Sequence, residues 1–185
     1  MHNVWTAERD HAVPLLAVED EHLASRSPAR LLITAPTQPG VETLAMRVHE
    51  TGPRARFPFV HTCASDLPVE PEVLREYCTT VLAAATGGSV LITGVEEMPP
   101  VVQEVLSELL AGLEFVRSPS ADVRLISGTT VSLLDRVAAG TFSERLFYRL
   151  NTIHLMAADN PPGVALVSEL DAVHPSDGST AMCAR

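Results

Sequence analysis

The sequence contains no lysine, because all 13 of its basic residues are arginines. This absence excludes any mechanism in which a lysine forms a Schiff base. It also bears on nucleotide chemistry, since the lysine of a phosphate-binding loop contacts the β- and γ-phosphates of a bound nucleotide. No lysine elsewhere in the chain can take that place. Codon bias in a GC-rich genome is the simplest explanation for the shortage.

Cysteine, long apolar runs and positive charge are also scarce. Three cysteines, widely spaced, are too few for a disulfide framework or a zinc site. No apolar run approaches the ~20 residues of a membrane-spanning helix, and the polar, acidic first residues lack the pattern of a signal peptide. We therefore expect a cytoplasmic protein with no membrane partner. A net charge of −10 argues against direct nucleic-acid binding, which needs a basic surface.

Along the chain, short apolar runs alternate with stretches in which the apolar residues have helical spacing. This pattern predicts strands at 31–33, 57–62, 89–93, 123–127 and 152–156, with helices at 41–52, 73–82, 100–112 and 133–139. Strands that are apolar throughout are typical of parallel sheets buried on both faces. We therefore expect a three-layer α/β fold, in which helices cover both faces of a parallel sheet.

The same pattern divides the chain into three parts. Residues 1–28 are polar with a weak helical pattern, and we interpret them as a lead-in segment that covers one edge of the domain. Residues 29–156 hold all the predicted strands and form the domain itself. Residues 157–185 are rich in proline, glycine and small residues, which predicts a C-terminal tail.

Residues 30–49 have the layout of a phosphate-binding loop: an apolar strand, a tight turn and a helix. The full motif would read G-x-x-x-x-G-K-[ST]. Gly40 matches its second glycine, but Ala35 replaces the first, Val41 replaces the lysine and Glu42 replaces the hydroxyl residue. Two prolines in the turn also remove backbone N–H donors. The loop lies where a phosphate-binding loop would lie, but the residues that would contact a phosphate are replaced by others.

Several segments in order resemble the AAA+ central domain of sigma-54-dependent transcriptional activators. The segments are LLITAPTQPGVETLA at 31–45, PRAR at 53–56, PFV at 58–60, GGSVLI at 87–92, MP at 98–99, VQ at 102–103, LEFVR at 113–117, DVRLI at 122–126, Phe142, and LFYRLN at 146–151. They cover about residues 30–156. The resemblance implies a P-loop AAA+ fold with a five-stranded parallel sheet.

The resemblance also implies which positions would serve a nucleotide, and most of them differ. The acidic pair expected after the third strand is replaced by Thr93 and Gly94; Glu96 and Glu97 follow, and we interpret both as solvated loop carboxylates. Thr130 stands where a polar residue would contact the γ-phosphate. The vestigial nucleotide site implied by the resemblance comprises Thr37, Gln38, Gly40, Val41, Glu42, Thr130 and Arg149.

Three further features of the family concern assembly. Of two arginines that would reach a neighbouring subunit's nucleotide, Ser143 replaces the first and Arg149 matches the second, with Arg145 nearby. An ion pair is an equally good explanation for Arg149. The long loop by which the family contacts the sigma factor is absent between residues 62 and 87. The helical lid of the family is expected to be absent too, which makes the domain both degenerate and truncated.

Two hypotheses follow for the function. The first is a domain that does not hydrolyse ATP and serves as a binding, assembly or regulatory module, with its own copies or a larger transcription or signalling protein as partner. No cofactor is expected, although weak ATP or ADP binding is possible. The second is an ATP-binding AAA+ domain of a sigma-54-dependent transcriptional regulator, with residual nucleotide binding or ATPase activity. A different enzyme on the same fold would have His61 and His154, at predicted strand ends, as its first candidates.

Overall fold

A computed structural model describes residues 13–115 and 122–157 of the chain. Strands and helices alternate along both ranges. The helices are α1 (Val13–Arg26), α2 (Gln38–Glu50), α3 (Pro71–Ala84), α4 (Pro100–Phe115), α5 (Leu133–Ala138) and α6 (Glu144–Leu150). The strands are β1 (Leu31–Thr34), β2 (Phe59–Cys63), β3 (Ser89–Thr93), β4 (Arg124–Thr129) and β5 (Ile153–Met156).

The five strands form one parallel sheet in the order β2-β3-β4-β1-β5. Successive side chains of a strand point to opposite faces of the sheet, so neighbouring residues belong to two different hydrophobic cores. Leu31 and Ile33 of β1 pack with α1 and α2 on the first face, whereas Leu32 packs with helices α3 to α6 on the second face. The prediction of a five-stranded parallel sheet with helices on both faces is confirmed.

The predicted strands appear in their predicted order, with ends shifted by up to two residues. Three helices differ more, and one of them, α4, continues to Phe115, beyond its predicted end at residue 112. Helix α2 begins at Gln38 and not at residue 41, because the Thr37 hydroxyl caps it by accepting a hydrogen bond from the Gly40 N–H, and Pro39 suits the first turn. Helix α6 was not predicted from periodicity; it is only seven residues long and is capped by Ser143.

The predicted lead-in helix is also present, as α1. It packs against α2 and β5, and its Glu21 forms an ion pair with Arg47 of α2. The division of the chain at residue 28 remains a prediction, and the predicted tail lies outside the described residues apart from residue 157.

Helix α3 connects β2 to β3 as one uninterrupted helix of 14 residues. This agrees with the expectation that no long loop interrupts the chain between residues 62 and 87. Within the two described ranges, none of the helices has the length and apolar character needed to cross a membrane.

Candidate functional site

The strand order creates one place where two neighbouring connections leave the sheet on opposite faces. The chain leaves β1 through α2 on the first face, and it leaves β4 through α5 and α6 on the second face. In parallel sheets, ligands bind in the crevice that opens at such a point, outside the carboxyl ends of the strands. The candidate site is therefore the edge formed by the ends of β1, β4 and the adjacent β3.

At the end of β1, the first turn of α2 makes its polar contacts with its own residues. The Gly40 N–H donates to Thr37 Oγ1 at 3.3 Å, and the next N–H donates to the Thr37 carbonyl oxygen at 3.1 Å. Gln38 Nε2 donates to Glu42 Oε1 at 3.2 Å. Backbone donors that a phosphate-binding loop would present to an anion are thus used to cap the helix.

Val41 of α2 is a core residue with 1% of its surface exposed. Its side chain fills the space above Gly128 of β4, where a Cβ atom would overlap Val41 Cγ1. The structure therefore places the Val41 side chain, one of the predicted site residues, in the core of the first face. Its contribution is packing, and it offers no polar group to a nucleotide.

At the end of β3, the two positions of the expected acidic pair hold groups of different chemistry. The Thr93 side chain is fully buried, and its hydroxyl lies 3.0 Å from Nε2 of His61 on β2. Gly94 has a φ of 67°, a left-handed conformation that a side chain such as glutamate would adopt only with strain. Neither residue presents a carboxylate for a metal ion.

Glu96 follows in a 3₁₀ turn (Val95–Glu97), and its carboxylate crosses to the end of β4. Oε1 of Glu96 accepts two hydrogen bonds from Thr130, one from the backbone N–H and one from the hydroxyl, each at 2.9 Å. Oε2 of Glu96 is buried and has no hydrogen-bond partner. The prediction that Glu96 is a solvated loop carboxylate is therefore wrong, because the fold brings it against Thr130, whereas Glu97 is exposed as expected.

The predicted arginine lies on the other side of the sheet. Arg149 belongs to α6, which packs on the second face, whereas Gly40 and Glu42 belong to α2 on the first face. The Arg149 carbonyl accepts a hydrogen bond from Arg30 at 3.3 Å. Ser143, in the other arginine position, is used as the cap of α6 through its bond from the Leu146 N–H.

The two histidines predicted at strand ends lie within β2 and β5, and each is paired with a threonine hydroxyl. His154 Nε2 lies 2.9 Å from Thr34 Oγ1, in the same way that His61 faces Thr93. Residues 13–115 and 122–157 contain no group of three or more His, Cys, Asp or Glu side chains that could hold a metal ion.

Residues 75–156 match the model of the sigma-54 interaction domain. Over these residues the chain is similar to that family. Among curated proteins, the regulatory protein AtoC of Escherichia coli K12 is 33% identical over 148 residues, covering 70% of this chain and 32% of AtoC. The DNA-binding transcriptional regulator NtrC of the same organism is 32% identical over 149 residues, covering 71% and 32%.

Two solved structures share the fold. NtrX from Brucella abortus in complex with ATP aligns with a TM-score of 0.65 at 26% identity, over 81% of this chain and 38% of NtrX. The P-loop NTPase domain of a sigma-54 transport activator from E. coli aligns with a TM-score of 0.58 at 19% identity, over 76% and 91%, which supports the fold alone. The chain spans about a third of the length of the curated relatives.

The amino ends of the strands hold a polar cluster that the sequence pattern does not predict. A cavity of about 200 Å³ there is lined by His49, Arg54 and Arg124, among others. Arg124, 3% exposed, donates to the carbonyl oxygens of Ala24 and Ala29 at 2.7 and 3.1 Å. Burial, with the nearby charge of Arg54, lowers the pKa of Arg124 to about 10, so it stays charged near neutral pH.

Arg54 and His49 complete this cluster. Arg54 donates to the carbonyl oxygens of Gly87, Gly88 and Asp122 and forms an ion pair with the Asp122 carboxylate at 2.5 Å. His49 Nδ1 lies 3.0 Å from the Ser89 hydroxyl, and burial lowers the pKa of His49. The cluster holds α1 and the ends of α2 and β3 together. Its one signal in the sequence is Arg124 at the start of the otherwise apolar strand β4, because Arg54 lies in the polar loop between α2 and β2.

Proposed function

We propose that this chain is a sigma-54-activator-type AAA+ domain that does not hydrolyse ATP and that acts by binding protein partners. The observation that carries the proposal is the position of Val41. A charged clamp on the transferring phosphoryl group is needed at that position, and the side chain there is apolar and packed against Gly128.

Other positions at the same sheet edge support the proposal. Thr93 is buried and paired with His61, and Gly94 adopts a left-handed conformation, so the edge lacks the acidic pair that would hold Mg²⁺ and orient the attacking water. Each missing clamp is expected to cost on the order of 10²-fold or more in rate. The combined losses leave little hydrolysis to expect.

We propose that the partners are proteins, either further copies of this chain or a larger transcription protein in the cytoplasm, and neither DNA nor a membrane. The net charge of −10 supports this assignment, because DNA binding by the domain itself would need a basic surface. Rings held by bound nucleotide are not expected.

The second candidate is a domain that still binds ATP. A related structure, NtrX from B. abortus, has been determined in complex with ATP, and Gly40 keeps its position at the start of α2 in this chain. Weak binding of ATP or ADP without turnover would be compatible with both candidates.

The test is to measure ATP hydrolysis, heat of ATP binding and molar mass by light scattering on the same chain, with and without Mg²⁺. We expect no turnover and no change of mass on addition of ATP. Saturating nucleotide at 100 times its Kd would add about 2.7 kcal/mol to the free energy of unfolding, and we expect no such shift. Turnover that disappears on Gly40→Val substitution would overturn the proposal.

A further inference from the structure

Thr130 presents two hydrogen-bond donors at the crevice where the strand connections diverge. Its backbone N–H and its hydroxyl both point to one acceptor position, which Glu96 Oε1 occupies at 2.9 Å from each. Two convergent donors of this kind suit an anionic oxygen, because hydrogen bonds to a charged acceptor are stronger than neutral ones. The amino end of α2 lies at the same edge of the sheet and adds a partial positive charge.

The rest of the Glu96 carboxylate is poorly accommodated. Its Oε2 atom is buried without a partner, and a buried acceptor without a donor normally destabilises a protein, more so when it is charged. Such an atom in a folded chain calls for an explanation. The neighbouring Glu97 shows that the turn can also hold an exposed carboxylate.

We propose that Glu96 is a built-in anion that occupies the phosphate position of this crevice. While its carboxylate is there, both Thr130 donors are used and a second anion would face a like charge. Removing the carboxylate opens the position to a phosphate group of a nucleotide. The inference rests on the proposed function, since it explains why the wild-type site is closed to nucleotide.

The experiment compares ATP binding by calorimetry in the wild type, E96A, E96Q and E97A, each as the full chain and each without and with Mg²⁺. E97A removes a carboxylate from the same turn and so controls for net charge. E96Q removes the charge but keeps an oxygen that can accept both Thr130 hydrogen bonds. We expect E96A to bind ATP at least about tenfold more tightly than the wild type, with little gain in E96Q and none in E97A.

Two further measurements make the outcome decisive. Adding Thr130→Ala to E96A should remove the gain, and titration with inorganic phosphate should reproduce it in part. If E96A does not fold, judged by its thermal transition, Glu96→Ser takes its place. Equal gains in E96A, E96Q and E97A, or no gain in a folded E96A, would overturn the inference.

The same samples separate this inference from the proposed function. ATP turnover by the wild type would overturn the proposed function, whatever Glu96 does. An inert wild type together with an E96A variant that binds no ATP would overturn only the role of Glu96.

Discussion

The two ends of the same sheet differ in how completely their buried polar groups are hydrogen-bonded. At the amino ends of the strands, Arg54 and Arg124 are largely buried, and both donate to carbonyl oxygens. At the carboxyl ends, small hydroxyl groups pair with histidines, and Glu96 keeps a buried oxygen without a partner. A satisfied buried network stabilises one arrangement of the chain, whereas a buried polar group without a partner calls for an explanation.

This contrast also explains where the family resemblance lies. Residues within the matching segments, such as Arg54, Gly88 and Arg124, build the amino end of the sheet. The positions that differ from the family, such as Val41 and Thr93, are at or near the carboxyl end. This division fits the proposed function, in which the scaffold of a nucleotide-binding domain is kept while the groups that would handle the nucleotide differ.

The strongest test of the amino end is Gly88→Ala. A Cβ at residue 88 would overlap the carbonyl oxygen of Pro58, and the backbone there is fixed by the Ser89 N–H bond to the same oxygen at 3.0 Å. We expect the free energy of unfolding to fall by about 3 kcal/mol or more, because backbone atoms must move apart. Urea unfolding followed by circular dichroism measures it.

Gly112→Ala is the matched control, since a Cβ at residue 112 of α4 meets no atom within 4 Å. That variant should gain up to about 1 kcal/mol from helix propensity. Equal stability of the two variants would contradict the close packing at Gly88.

At the carboxyl ends of the strands, Val41→Lys introduces the lysine of the phosphate-binding motif while the other replaced positions stay unchanged. We expect a loss of about 2 to 3 kcal/mol in the free energy of unfolding, because an ammonium group enters an apolar site or displaces the packing against Gly128. ATP binding should not appear. Calorimetry with ATP and urea unfolding are the two measurements.

Met46→Lys, at a position on the same helix that is 39% exposed, controls for the added charge. It should change the stability by no more than about 0.5 kcal/mol. Nucleotide binding by Val41→Lys at wild-type stability would mean that the site lacks only its lysine, against the proposed function.

The smallest expected effect is on the pH dependence of the free energy of unfolding, and it arises from His49 at the amino ends of the strands. Burial lowers the pKa of His49 in the folded state, whereas in the unfolded chain a histidine titrates near about pH 6.5. The unfolded state therefore binds more protons in the window from about 6.5 down to the lower folded pKa, and stability falls as the pH falls through that window. Unfolding free energies at about pH 7.5 and 5.5 measure the change.

His49→Asn should lose less stability between these two pH values than the wild type does. The exposed residue His22 supplies the control, and His22→Asn should keep the wild-type dependence. An unchanged pH dependence in His49→Asn would show that the buried imidazole is not the group that titrates.

Much of the fold could be predicted because its signals are local. Apolar runs such as residues 89–93 and helical spacing such as residues 100–112 lie within single elements. Both elements are present and begin where predicted, although α4 continues to Phe115. Helix α6 was missed because seven residues carry too little periodicity, and the start of α2 depended on the cap at Thr37.

The site was less predictable, because its contacts join distant residues. Glu96 and Thr130 are 34 positions apart and meet only because β3 and β4 are neighbours in the sheet. Arg124 meets Ala24 across 100 positions. No spacing in the sequence indicates either contact, since strand order decides which loop ends come together.

The sequence alone determined that the chain has no lysine for a phosphate and that apolar strands alternate with helices, since composition and periodicity need no neighbours. Only the tertiary structure decided what the changed residues do. In the folded chain, Val41 is buried against Gly128 and the carboxylate of Glu96 accepts hydrogen bonds from Thr130. Arg124 donates a hydrogen bond to the carbonyl oxygen of Ala24 in α1. These outcomes depend on strand order and side-chain direction, which are properties of the packed sheet.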